Sequence, residues 1–578
     1  MRKFTCLLLL SLCVYVASTA QVLIKNVNVV DVENKKHLQG YDVFIQGDRI
    51  TSVDKGKKHE ILPGTQVIDG SGKWLIPGLV DAHVHFFQSG GLYARPDAID
   101  LRKHRPYNKE VEWVHQNMTS YLDRYLATGI TSVIDVGSSF AFLAQRDTVV
   151  KKANSPIVSM TGPLLTTYMP PALKDLGNES PFILVTSKED AIKAVQEQVK
   201  HNADFVKIWY IVLDKNVDSG ARKNYENVKA AIDEAHKNNK RVAVHATERI
   251  TAQLAVEAGA DYLVHSVENE NISSEFVQLL KKNNVVLCPT LIVGPNYVRV
   301  FSDSYNFSTW ELNHAHPFAV STVIDYPWPD TAIAKMYTTS LRNQNRRGQP
   351  GKEDTIMANN LKKLVEGGVT IATGTDAGNI GTQHVTSYYH ELKAMQAAGM
   401  NTWQLLQSST INGAKAVGME KEWGSIGKDK LANLVLLTAN PVDNIENWKS
   451  ISHVILKGKI LASDSIVKLT PEILVQQQLN AYNAHDLEAF LAPYAEDVEI
   501  YNLSGKLKSK GKEEMRKNYQ FVTKMPDLYC RLINRIVSGN TVIDHEEIWT
   551  SPQPKNLRYG VAIYVIEKGK ISKVYFAD

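Results

Sequence analysis

The sequence predicts an α/β protein: a (β/α)8 TIM barrel, a small β-sandwich domain built from both segments flanking it, and a C-terminal α+β cone-like domain. Three observations predict this. Short apolar runs alternate with amphipathic stretches between residues 77 and 420. Metal-ligand side chains fall at the ends of several of those runs. A strand-and-turn texture on the N-terminal side of the segment returns on its C-terminal side, so the barrel reads as an insertion into one β domain.

The chain has 578 residues, too many for one core. Its composition, 44% hydrophobic and 22% charged with net charge +4, is that of a globular protein without a basic stripe. That excludes a nucleic-acid-binding class and leaves a small-molecule substrate as the expected partner. Residues 1–20 read as a signal peptide: Arg2 and Lys3, an apolar run from Leu7 to Val16, then Ser18-Thr19-Ala20 as the cleavage site. The expectation is an exported protein, periplasmic or extracellular, with no membrane span. Cys6 and Cys13 belong to that segment, leaving Cys288 and Cys530, so any metal must be held by histidine and oxygen.

Segments 21–76 and 421–466 carry the flanking domain, with strands expected at 22–24, 27–30, 41–45, 49–53, 434–437 and 451–459. The barrel occupies 77–420, with strands at 79–85, 131–136, 157–161, 205–209, 241–245, 262–265, 285–289 and 369–375. Amphipathic stretches such as 191–200, 225–238 and 359–366 separate most of them. No Gly-rich phosphate or dinucleotide fingerprint supports the alternative, an open doubly wound sheet. Residues 291–351, irregular and rich in aromatic residues and histidine, read as a functional lid. Residues 470–578 form the last domain, a helix over 471–489 followed by strands.

Barrel enzymes place their reacting groups at the C-terminal ends of the strands. In Asp81-Ala82-His83-Val84-His85 the two imidazoles project to one side of the first strand. The fourth strand carries Lys207 within an apolar run, the fifth ends in His245, the sixth in His265, and the eighth in Asp376. A buried ammonium is costly unless paired, neutral or modified. A neutral Lys207 amine can take up carbon dioxide to become a carbamate, whose two oxygens bridge two divalent cations. His83, His85 and Asp376 would hold one ion and His245 and His265 the other, zinc being the expected metal. Such a pair activates a water for attack on a carbonyl, with Asp376 as the proton shuttle.

Pro77-Gly78-Leu79-Val80-Asp81-Ala82-His83-Val84-His85, Val206-Lys207-Ile208, Val244-His245-Ala246, Val264-His265-Ser266 and Thr373-Gly374-Thr375-Asp376 together resemble the amidohydrolase superfamily, specifically its imidazolonepropionase-like and binuclear prolidase-like branch. Asn433 stands where an aspartate is usual, outside the barrel. Lys207 points to the binuclear branch. That resemblance implies hydrolysis of an amide bond in a dipeptide, an N-acyl amino acid or a cyclic amide. A lactonase or phosphotriesterase on the same centre, and a non-catalytic metal-containing binding protein, are the alternatives. Tyr93, Arg95, Tyr168 and Tyr210 follow barrel strands and are the candidates for substrate contact, with Arg95 suited to a carboxylate. The tail, through Tyr482-Asn483-Ala484-His485-Asp486 and its strand order, is similar to the nuclear transport factor 2-like, ketosteroid-isomerase-like fold. The similarity implies a binding or dimerisation module, and so a possible homo-oligomer, with Asp544 or His545 lining its cavity.

Overall fold

The structure is a computed structural model that describes residues 21–56, 59, 61–151, 154–325, 332, 336, 351–550 and 557–577. The expected signal peptide, and Tyr326, Trp328 and Tyr337 of the expected lid, lie outside the described residues.

Both flanks of the barrel enter one eight-stranded sheet. Its order is Lys459–Ala462, Ile451–Leu456, Leu434–Leu437, Trp74–Pro77, Gln21–Asp31, Lys36–Gln46 and Arg49–Asp54, with Gln66–Asp69 also paired to Gln21–Asp31. The seam between the flanks is the antiparallel pair Leu434↔Pro77 to Leu437↔Trp74. Where the sequence suggests two strands at 22–24 and 27–30, one strand runs through. Its apolar phase switches from Val22 and Ile24 to Val27 and Val29, all buried in one cluster. The register shift between Ile24 and Val27, with Asn26 at φ 57, supplies the extra residue that this change of phase requires.

The eight barrel strands are Leu79–Val84, Ile130–Asp135, Ile157–Met160, Val206–Trp209, Val242–His245, Tyr262–Val264, Val286–Cys288 and Thr370–Ile371. Neighbouring strands pair in parallel within two groups, the first three and the last five. Backbone hydrogen bonds join the groups: Asp204 N–H donates to Met160 O at 2.9 Å, Ala82 N–H to Thr373 O at 2.9 Å, and Asp376 N–H to His83 O at 2.7 Å. Helices cover the outside by burying one stripe. Lys188–Lys200 is capped by the Ser187 side chain and buries Ala191, Ala194 and Val195, at helical spacing. Two short strands absent from the sequence-based reading, Leu164–Thr166 and Phe182–Leu184, extend the sheet beside the fourth strand.

The lid expectation needs correction over 291–325. This stretch forms helices Val293–Phe301, Thr309–His314 and Pro317–Ile324. Val300, Phe301, Leu312, Val320 and Val323 are buried in the same apolar cluster as Leu474, Val475 and Ala481 of the tail. The segment has a core after all, shared with the last domain.

The tail is a six-stranded sheet, Leu507–Lys510, Tyr494–Asn502, Lys570–Ala577, Leu557–Glu567, Thr541–Trp549 and Tyr529–Ser538 in that order, with helices against it. The single helix expected over 471–489 is two, Pro471–Asn483 and Leu487–Leu491. His485 takes φ 58 between them, and the Asp486 side chain accepts from Ala489 N–H at 2.9 Å, capping the second.

Barrel closure leaves no room at Gly374. A β-carbon there would stand 2.6 Å from the His83 nitrogen, 2.8 Å from the His83 Cβ and 2.6 Å from the Cys288 sulfur. Gly374→Ala is therefore expected to destabilise the chain by about 1–3 kcal/mol, read as a lowered urea midpoint at unchanged slope.

Candidate metal centre

The six side chains predicted as ligands converge at the C-terminal mouth of the barrel. His83 Nε2 and His85 Nε2 lie 3.3 Å apart, and each is 3.1 Å from Asp376 Oδ1. His265 Nε2 is 4.0 Å from Asp376 Oδ2. The His265 ring lies 4.9 Å from the His83 ring and 4.4 Å from that of His245. Lys207 is 1% exposed and lines the same cavity as His85, His245, His265 and Asp376.

Local backbone aims these groups inward. His265 and Asp376 follow their strands in the left-handed region, at φ 78 and φ 58, each costing on the order of 1–3 kcal/mol. Their amides are tied down, His265 N–H to Cys288 O at 2.8 Å and Asp376 N–H to His83 O at 2.7 Å. The far ring nitrogens are fixed too. His85 Nδ1 meets Gly137 O at 2.7 Å, and His265 Nδ1 meets Thr290 Oγ1 at 2.6 Å, leaving both Nε2 atoms facing the centre. Asp135 shapes the turn behind His85 by accepting from Phe86 N–H and Gly137 N–H, both at 3.0 Å.

Burial sets the protonation states. It pushes His83 down to about 4 and holds His245 and His265 well below the usual imidazole value, so all three present lone pairs. It pushes the Lys207 ammonium down to about 7. Burial opposes charge on Asp376, but His83 and His85 beside it hold the carboxyl well below the ordinary range. Among the described residues Lys207 has no ion pair, so pairing does not offset the cost of a buried ammonium here.

These residues fit a divalent cation. Asp376 Oδ1 is buried and takes no hydrogen bond, although two imidazole nitrogens stand 3.1 Å away. Donors at about 2.0–2.1 Å around one tetrahedral ion are separated by roughly 3.3–3.4 Å, close to the spacing of this triangle. Nδ1 of His83 is also buried without a partner. His83, His265 and Asp376 bring one ligand atom each to within 4.8 Å of one another.

The centre forms the floor of a cavity of about 600 Å³. Trp209 and Phe182, stacked at 4.8 Å, and Leu164 make an apolar wall. Glu268 and Tyr297 face them from other sides. Of the four substrate candidates, only Arg95 lines this space. Its guanidinium is already forked onto Asp97, at 2.8 and 2.6 Å, and bonded to Asn379, so it is no open clamp for a carboxylate. Tyr93 packs instead beneath Arg105, at 5.5 Å. Tyr210 is buried with its hydroxyl donating to Ala221 O, and Tyr168 lies behind Trp209, 6.5 Å from it. In the tail cavity the lining acid is Glu546, not Asp544 or His545. Asp544 shares its face of the strand but is held by Arg535, and His545 points to the opposite, exposed face.

Sequence reasoning missed Thr290, Asp135, Glu268 and the Trp209–Phe182 wall. Asp135 ends the second strand and Trp209 the fourth, so their positions carried a signal; Glu268 and Thr290 lie in loops and gave none.

A parallel barrel with four imidazoles, a carboxylate and an unpaired lysine at the catalytic mouth defines a metal-dependent hydrolase of the barrel class. Comparison with known proteins makes the assignment specific. The Amidohydrolase family profile matches residues 74–461, and a SnoaL-like domain profile matches 475–574. The chain belongs to the amidohydrolase family, hydrolases of carbon–nitrogen bonds, and carries a C-terminal SnoaL-like domain. It is 25% identical over 470 residues to an imidazolonepropionase of Treponema denticola, covering 75% of this chain and 94% of that protein. It matches an adenine deaminase of Ruegeria sp. at 37% identity over 75 residues, spanning only 12% of that protein. A solved Xaa-Pro dipeptidase with bound methionine is similar at TM-score 0.58 and 24% identity, over 77% of this chain and all of that one. Phenylurea hydrolase B is similar at TM-score 0.58 and 18% identity, over 77% of this chain and 98% of that one.

Thr290→Val keeps the shape of the side chain but removes the hydroxyl that orients His265. It is expected to weaken metal affinity about 10–100-fold, measured by competition with a chelator, without unfolding the chain.

Proposed function

We propose that this enzyme hydrolyses the amide bond of a compact substrate bearing a basic group. In this reading His83, His85 and Asp376 would hold one divalent ion and His245 and His265 a second, zinc by the donor set, with carbamylated Lys207 as a further ligand. The observation that carries it is the orphaned Asp376 Oδ1 at 3.1 Å from the imidazole nitrogens of His83 and His85. The names of its relatives, imidazolonepropionase and Xaa-Pro dipeptidase, support amide chemistry.

Ions held there would supply Lewis-acid polarisation of the scissile carbonyl and would lower the pKa of an attacking water. The remaining steps belong to the chain. The Lys207 amine adds to carbon dioxide and loses one proton, which turns a costly buried cation into an anion. The Asp376 carboxylate takes the proton of the attacking water and passes it to the departing nitrogen. Trp209, Phe182 and Leu164 exclude water from one side of the amide and receive an apolar group.

Charge selects the other end of the substrate. Apart from the centre itself, Arg95 is the cation of the described cavity lining, and Asp97 and Glu268 are among its acids. Arg95 is neutralised by Asp97. Glu268 forms no ion pair among the described residues, and burial, then Glu248, Glu353 and Asp354, push its carboxyl up to about 7. A basic side chain or free amine is therefore favoured over a free carboxylate, which narrows the dipeptide, N-acyl amino acid and cyclic amide classes to their basic members.

The test is a panel of basic, neutral and acidic amides of those classes, with lactones and aryl phosphotriesters beside them, on enzyme loaded with zinc and bicarbonate. Asp376→Asn is expected to lower kcat by at least about 10²-fold with most metal retained. Glu268→Gln is expected to lower kcat/KM about tenfold for basic amides and little for neutral ones. In the wild type that preference is present above pH about 7, where Glu268 is ionised, and fades as pH falls through that value. Loaded enzyme that turns over no amide, or prefers acidic ones, refutes the reading.

The export reading rests on Arg2-Lys3, the apolar run and Ser18-Thr19-Ala20. Sequencing the mature protein from a cell-envelope or medium fraction is expected to begin at Gln21.

A further inference from the structure

The tail domain contains a second cavity, of about 270 Å³, far in sequence from the metal centre. Tyr482, Phe490, Tyr494, Tyr519 and Phe521 wall it, adjacent rings standing 5.0–6.4 Å apart. One acid, Glu546, reaches it from the strand Thr541–Trp549. Glu546 is 6% exposed and has no ion pair among the described residues; the Tyr564 hydroxyl donates to it at 3.4 Å, and the Cys530 thiol lies beside it. Arg535, the cation of this region, is forked onto Asp544 at 2.7 and 2.6 Å and bonded to Gln476 at 2.8 Å, so its charge is spent. The two acids on this face thus share one base.

A buried carboxylate without a counter-ion is unfavourable, because desolvation is not repaid by a partner charge. Here it is surrounded by aromatic faces, the surface that attracts organic cations through the ring quadrupole. Phe521, 36% exposed, stands at the opening, so a ligand can enter from solvent. We propose that the tail is a binding module whose cavity is an aromatic cage for a small organic ammonium ion, with Glu546 as its counter-ion. The ion supplies the positive charge that the protein leaves out, and its alkyl groups meet the rings. Burial, with Asp544 adding to it, pushes Glu546 up to about 7, so the empty cage carries a partly protonated acid that a bound cation would ionise.

Calorimetric titration of the full chain with choline, and with its uncharged carbon isostere 3,3-dimethyl-1-butanol, tests this. Choline is expected to bind saturably at one site, at least about tenfold more tightly than the isostere. Glu546→Gln is expected to weaken choline about tenfold while hydrolase activity persists. Phe521→Ala, at the partly exposed rim of the cavity, is expected to weaken it severalfold. Glu268→Gln, in the barrel, is expected to leave it unchanged. Equal binding of the isostere, no saturable heat with choline, or loss in Glu268→Gln with retention in Glu546→Gln would each overturn the proposal.

Discussion

The centre depends on a single buried knot between the first and last barrel strands. The Asp81 carboxylate, fully buried, accepts from Thr375 N–H at 3.0 Å, the Thr375 hydroxyl at 2.8 Å and His83 N–H at 3.3 Å. Asp376 N–H returns to His83 O at 2.7 Å. These bonds fix the register of two segments 294 residues apart. Register is what matters here. A slip of one residue would turn His83 and His85 to the other face and leave Asp376 with no imidazole to meet.

The knot also shows why so much of the site was legible in the sequence. His83, His85, Lys207, His245, His265 and Asp376 sit on strands or at their ends, where period-two geometry and barrel topology dictate direction before any side chain is placed. The eight barrel strands were readable for the same reason. What failed was decided by contacts across the chain. Arg95 looked like an open clamp until Asp97, two residues on, folded back on it. Tyr210 had the right spacing, but its hydroxyl found Ala221 O in the next helix. The helices in 291–325 were hidden because their apolar faces match a partner that begins at residue 471, not the barrel beneath them. Periodicity within a segment cannot reveal a distant partner.

That partner ties the tail to helices at the barrel rim, whatever its cavity holds. Asn480 Nδ2 donates to Pro317 O at 2.7 Å, Gln477 to Asn313 O at 3.3 Å, the Tyr529 hydroxyl to Asp325 at 2.7 Å, and the Thr309 hydroxyl to Asp486. The helices so anchored continue directly from Val293–Phe301, whose Val293, Gly294, Tyr297 and Val298 line the substrate cavity. Tyr297 then donates to Asn379 Oδ1 at 3.0 Å, three residues from Asp376, and Asn379 also receives Arg95. A continuous set of packed and hydrogen-bonded groups thus runs from the tail helix to the wall beside Asp376.

The two cavities share one electrostatic logic. In each, the cation that could have balanced a carboxylate is committed to a neighbouring acid: Arg95 to Asp97 in the barrel, Arg535 to Asp544 in the tail. Both pairs are largely buried forks, the geometry in which an arginine gives up least entropy for each bond it forms. Pairing an arginine with the nearer acid leaves the farther one, Glu268 or Glu546, facing open space with its charge unmatched. Desolvation makes that mismatch unfavourable, and a ligand of positive charge is the group that relieves it at both sites. A negatively charged ligand would add to the cost in each cavity. The cation selectivity proposed for both cavities therefore rests on how each arginine is used, not on how many acids surround the space.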